Sequence, residues 1–304
     1  MNKGKWNELL RKYYFLGGFA FLLVFAIVFI SRAQLDIPLD SQHKKAPLSE
    51  ETMKNLEKSV LPSEGVTVPI KWGNLGMKMI SQGVIDPEKF AALYKNRGGI
   101  DPYIKELLYN ANNDNLNITP KNAGAILNLL WALGIGNKNA ILDKGPMSDE
   151  HNGGAGNFAS TGGWTLAKGD AMEHFSRHSF ILLTKEQQTL VENVSKNIYR
   201  PCCNNATYFP DCNHGMAMLG LLELMASRGA NKKEMYKTAL QVNSYWFPDT
   251  YLTIATYLAQ KGIKWQEADP KILLGKDFSS ASGYRKISEQ VTLPEKNKGG
   301  SCGV

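Results

Sequence analysis

The sequence predicts an all-α domain behind a single N-terminal membrane-spanning helix. Three observations carry that expectation: an uncharged apolar run near the N-terminus, repeated helix-start signals from Trp72 onward, and the lack of long alternating runs of β-branched residues. The chain has 304 residues and 43% apolar content, enough for a proper core.

The apolar run is "YYFLGGFAFLLVFAIVFI", residues 13–30, eighteen residues without a charge. As a helix it spans about 27 Å at 1.5 Å per residue. Lys3, Lys5, Arg11 and Lys12 precede it and Arg32 alone follows closely, so the positive-inside tendency places the N-terminus in the cytoplasm. The expected location is therefore the cell membrane, single-pass, with the main domain extracytoplasmic. A cleaved secretory signal is the competing reading, since Ser31 and Ala33 carry suitable small residues, but its apolar core is usually only about 7 to 15 residues long. Either reading exports the domain, where disulfides can form.

Net charge is +7, of which +4 lies in the first 32 residues. The remaining +3 is spread over 272 residues, too thin for a phosphate-binding face, so no nucleic-acid partner is expected. The partners implied are the membrane, through residues 13–30, and a molecule that exchanges metal or thiols with the domain.

Residues 33–69 are polar, with prolines at 38, 47, 62 and 69, and read as a stalk that packs partly on the domain, with one short helix around 50–60. Residues 70–292 read as the helical domain. Asp86-Pro87, Asp101-Pro102, Thr119-Pro120 and Asp269-Pro270 each place a capping residue before a proline at the first helical position. Asp170 with Glu173 and Thr184 with Gln187 have capping-box spacing. "NAGAILNLLWALGIG" reads as a buried helix that ends in glycines. The glycine-rich stretch from His151 to Trp164 reads as a flexible connector, because no phosphate-loop register follows it. Residues 293–304 read as a flexible tail whose glycines give Cys302 reach.

The chemistry concentrates in "RPCCNNATYFPDCNHGMAM", residues 200–218, with Cys202, Cys203, Cys212 and His214. "YFPDC" at 208–212 echoes "WFPDT" at 246–250, which suggests Asp211 and Asp249 as N-caps of the apolar helices that follow. Cys212 then falls at the first helical position, where unpaired amides and the positive end of the helix dipole lower a thiol pKa. In "GDAMEHFSRHSF" a helix from Asp170 would put His174 and His178 on one face, about 40° apart.

Thiolate and imidazole donors together select zinc, copper or iron. The expected function is therefore a metal-binding protein for binding, transfer or sensing, with ligands among Cys202, Cys203, Cys212, His214, His174 and His178. Two alternatives stand beside it. One is thiol-disulfide exchange with Cys212 as the reactive thiol and Cys202 or Cys203 resolving; the other is a non-catalytic scaffold stapled by two disulfides. No hydrolytic triad or carboxylate pair can be defended from spacing.

Overall fold

The computed structural model describes residues 47–292. The expected anchor at 13–30, the first part of the stalk and the tail with Cys302 lie outside the described residues. Of the described residues 59% are helical and 7% are in strands.

The longer helices are α1 (Glu50–Val60), α2 (Leu75–Ser81), α3 (Pro87–Lys95), α4 (Pro102–Tyr109), α5 (Ala123–Gly136), α6 (Lys185–Ser195), α7 (Asn213–Ser227), α8 (Lys232–Trp246), α9 (Pro248–Gln260) and α10 (Ala281–Ser288). Caps act within one turn, so several are legible beforehand. Asp86 accepts from Glu88 N and Lys89 N, Asp101 from Tyr103 N, and Thr184 forms the full capping box with Gln187. Asp269 caps a single turn, Pro270–Leu273.

Asp170 likewise caps a single turn, Ala171–His174, accepting from Met172 N, while three other assignments shift. Asn122, not Thr119, precedes α5; Phe247 precedes α9 with Asp249 in its first turn; and Cys212 itself, rather than Asp211, is the N-cap of α7.

The described domain is mostly helical, as expected, and adds one two-stranded antiparallel sheet, β1 (Val66–Gly73) and β2 (Asn113–Ile118), with Val66 opposite Ile118. Val68, Ile70 and Trp72 point inward and alternate with exposed Thr67, Pro69 and Lys71, the period of a half-buried strand. The register breaks between Val68 and Lys71, around Pro69, which has no N–H for the ladder.

At the centre lie α5 and α7, packed along each other. Every residue of α5 but Gly124 is buried, and so is His214–Ala226 of α7, which marks both as interior helices rather than amphipathic surface ones. Gly134 and Gly220 let the backbones meet. A Cβ at Gly134 would lie 2.1 Å from Met216 O, and one at Gly220 2.5 Å from Leu130 O. Around this pair, α6 and α8 pack on α7, and α1 packs on α9. Residues 50–62, from the expected stalk, are tied to the domain by Tyr245 Oη donating to Pro62 O at 2.9 Å and Gln266 Nε2 donating to Ser59 Oγ at 2.9 Å.

The single-pass membrane location needs correction. Among the described residues no helix is long and apolar enough to cross a membrane. The most apolar, α5, has 14 residues and spans about 21 Å, short of the roughly 30 Å of hydrocarbon, and its side chains are buried in the protein. The N-in, extracytoplasmic placement rested on residues 13–30, which lie outside the described residues, and nothing within 47–292 carries it.

Glu223 is the buried carboxyl of α7, 0% exposed. Asn137 Nδ2 donates to its Oε2 at 3.0 Å, and Asn139 Nδ2 donates to its Oε1. Both amide orientations are set from the other side, because Asn137 Oδ1 accepts from Ile181 N and Asn139 Oδ1 from Ile141 N and Gln188 Nε2. Glu223 thus fastens α7 to the turn after α5.

Burial raises the Glu223 pKa well above the usual range, against the opposing pull of Asn139 and Asn137. A raised carboxyl pKa means that the folded chain holds a proton the unfolded chain has released above about pH 4.3. This group therefore costs stability progressively as pH rises from there toward its folded pKa. Glu223→Gln is expected to abolish that part of the pH dependence in urea unfolding between about pH 4 and 7. An unchanged slope would show that Glu223 is ionised in the fold.

Candidate metal centre

The centre is built on a loop that folds back on itself. After α6, Thr207 N donates to Ile198 O at 2.8 Å and Tyr208 N to Ser195 O at 3.2 Å, with an isolated bridge between Tyr199 and Ala206. Ala281 N donates to Cys203 O at 2.9 Å and Ser282 N to Asn204 Oδ1 at 2.9 Å, which pins the turn against the start of α10.

Inside the loop lies Arg200, with a side chain only 2% exposed. Its Nε donates to Cys212 Sγ at 2.9 Å, Nη1 to Asn205 O at 2.9 Å, and Nη2 to Phe209 O at 2.9 Å and to Asp211 Oδ1. Asn205 Nδ2 holds the other Asp211 oxygen at 2.8 Å. One guanidinium thus ties together a sulfur, two carbonyls and a carboxylate, a use of its fork that lysine cannot reproduce.

Gly215 makes room for it. A Cβ there would lie 2.5 Å from Arg200 Cζ, so the first turn of α7 tolerates no side chain at this position.

Cys202, Cys203 and Cys212 converge here, with their sulfurs all within 4.8 Å of one another. Cys202 Sγ and Cys212 Sγ are 3.5 Å apart, and Cys203 Sγ lies 3.9 Å from both Asn205 O and Asp211 Oδ1. All three are free thiols of intermediate exposure, with no disulfide among them. The two-disulfide expectation therefore fails for these three; Cys302 lies outside the described residues. Metal–sulfur bonds of about 2.3 Å imply S···S separations of about 3.8 to 4.0 Å, so the group needs only small shifts to close on an ion.

The thiols are not equivalent. Hydrogen bonds from Cys202 and Cys203 hold the Cys212 thiol well below the usual range despite burial, helped by the Arg200 charge and a hydrogen bond with His214. The Gly215 amide also donates to Cys212 Sγ, at 3.4 Å. Cys202 is driven the other way by its hydrogen bonds to Cys203 and Cys212 and by burial. For Cys203 the bond with Cys202 pulls down, but the bond with Cys212 and burial prevail and push it up to about 11. Of the three sulfurs, Cys212 is therefore the one best placed to carry negative charge.

His214 sits beside the sulfurs without joining the group. It is 7% exposed, its ring packs 4.3 Å from Phe247 and 5.9 Å from Trp246, and its Nδ1 has no hydrogen-bond partner.

His174 and His178 are not brought into the cluster. The helix expected to carry both ends at His174, and Ser176 takes a positive φ of 53°. The rings still meet, His174 Nδ1 to His178 Nε2 at 3.1 Å, while His174 Nε2 lies 2.8 Å from Lys168 O. A carbonyl only accepts, so His174 carries its proton on Nε2 and receives one from His178, which leaves neither His174 nitrogen for a metal. Beyond them, His178 stacks on Phe180 and bridges to Asn137. Burial and the neighbouring His174 and Arg177 lower its pKa.

Arg200, Asn205 and Gly215 were missed as site residues by sequence reasoning. Gly215 was the available signal, a glycine in the first turn of an otherwise tightly apolar helix, where it costs about 1 kcal/mol unless something approaches closely.

Compared with known proteins, the chain matches no family model, no curated protein and no solved structure.

Proposed function

We propose that the protein binds one thiophilic transition-metal ion, zinc or monovalent copper, through Cys202, Cys203 and Cys212, and that it holds, passes on or senses that ion rather than catalysing a reaction. The observation that carries this reading is the approach of three unoxidised sulfurs within 4.8 Å on one short loop. An all-sulfur set prefers soft ions and disfavours magnesium, calcium and manganese, which take oxygen. Arg200 offsets part of the negative charge that three thiolates would gather, and His214, hydrogen-bonded to Cys212, is a further imidazole beside the sulfurs.

Burial and mutual hydrogen bonding push the Cys202 and Cys203 thiols up, and metal binding displaces thiol protons, so affinity is expected to rise with pH across about 6 to 8. The test is elemental analysis of the reduced full chain, with competition titration of zinc and of monovalent copper. One equivalent of metal is expected, with affinity reduced about 100-fold or more in Cys212→Ser and unchanged in His174→Gln. Three titratable thiols at Cys202, Cys203 and Cys212 with no stoichiometric metal would overturn the reading.

A further inference from the structure

We infer that Cys202 and Cys212 form a reversible disulfide that switches off metal binding, with a low-molecular-weight disulfide such as oxidised glutathione as the oxidant class. The metal-release half of this inference rests on the metal-binding reading; the disulfide half does not.

The pair is singled out by geometry. Cys202 Sγ and Cys212 Sγ are 3.5 Å apart, so bond formation at about 2.05 Å requires them to close by roughly 1.5 Å. Both belong to the loop-to-helix segment 200–212 and both are partly exposed, so a small oxidant can reach them. Cys203 is disposed differently. Its sulfur faces Asn205 O and Asp211 Oδ1, and its carbonyl is held by Ala281 N. Arg200 Nε and Gly215 N both point at Cys212 Sγ, where they stabilise negative charge, which makes Cys212 the attacking sulfur and Cys202 the resolving one.

The chemistry balances in two exchanges. Cys212 sulfur attacks one sulfur of the small disulfide, its S–S bond breaks, and one thiolate leaves with the bonding pair. Cys202 sulfur then attacks Cys212 sulfur in the mixed disulfide, a second thiolate leaves, and it takes up the Cys202 proton. The protein loses two electrons and the small disulfide gains them. The protein disulfide removes two of the three sulfur donors and leaves Cys203 alone, which cannot hold the ion. Reduction by an excess of small thiol restores the site.

The experiment treats the full chain, as Cys302→Ser so that the tail thiol is silent, with oxidised glutathione. Chymotryptic cleavage after Tyr208 separates Cys202 and Cys203 from Cys212, so the crosslink is read by mass spectrometry. A disulfide to Cys212 is expected in the parent and in Cys203→Ser, and at least tenfold less in Cys202→Ser. Equal crosslinking in Cys202→Ser, or none in the parent, would overturn the inference; the parent measurement stands even where a variant folds poorly. In parallel, metal is loaded onto the reduced chain and release on oxidation is followed. Metal retained on the disulfide form sinks the switch while leaving metal binding intact, whereas a chain that forms the disulfide but never binds metal sinks the proposed function instead.

Discussion

Arg200→Ala is expected to lower the unfolding free energy by about 3 to 5 kcal/mol, the range for removing one partner of a buried ion pair. The loss would be large because the guanidinium serves four acceptors at once: Cys212 Sγ, the carbonyls of Asn205 and Phe209, and Asp211. Each loses its charged donor, and Asp211, with a side chain 19% exposed, keeps Asn205 Nδ2 and the weaker Cys203 thiol as partners. Arg200→Lys should recover less than half, since an ammonium reaches fewer of these acceptors and not in one plane. Urea denaturation with unchanged m-values measures both variants. A loss below about 1 kcal/mol for the alanine variant would show that the loop holds its shape without the guanidinium.

The second large effect is expected at the crossing of α5 and α7. Gly134→Ala and Gly220→Ala each place a methyl against backbone atoms: Met216 O at 2.1 Å for the first, Leu130 O at 2.5 Å and Gly134 N at 2.8 Å for the second. Backbone cannot swing aside like a side chain, so the two central helices must separate, and every layer packed around them loses contact. Each variant should cost about 3 kcal/mol, the upper end for overpacking, although alanine is the better helix former. The double variant should cost less than the sum, because once the helices are spread the second methyl meets open space. Thermal unfolding reads this as a fall of about 2 to 4 °C per kcal/mol for a domain of this size. Additive losses would show that the two contacts yield independently.

What was legible beforehand was local. Helix starts at Pro87, Pro102, Lys185 and Pro270 follow from caps that act over three residues, and the composition of α5 announces burial on all sides. The sheet escaped notice for two different reasons. β1 alternates cleanly, but Pro69 and the preceding prolines gave that region the texture of a linker. β2, "NDNLNI", has only Leu116 and Ile118 as apolar residues, so nothing in its own pattern marks it apart from its partner.

At the site, spacing along the chain was a good guide for Cys202, Cys203 and Cys212 and a poor one for His174 and His178. The histidines do meet, but on a one-turn helix followed by a positive φ at Ser176, and around Lys168 rather than around the sulfurs. Arg200 stood in the cysteine-rich stretch all along. Its role depends on four acceptors converging through the fold of the loop, and no periodicity encodes that convergence.

All three sulfurs fall within an eleven-residue span, 202–212. Ligands so close in sequence remain near one another even in an unfolded chain, where closing so short a loop costs little entropy. A thiophilic ion held as proposed would therefore have some affinity for the denatured ensemble as well, and would contribute less to folding stability than its affinity for the native protein suggests. What distinguishes the folded site from the bare peptide is Arg200 and the amide of Gly215, which set the charge and position of Cys212 before any ion arrives. Selectivity between native and denatured chain thus resides in two hydrogen-bond donors rather than in the sulfurs themselves.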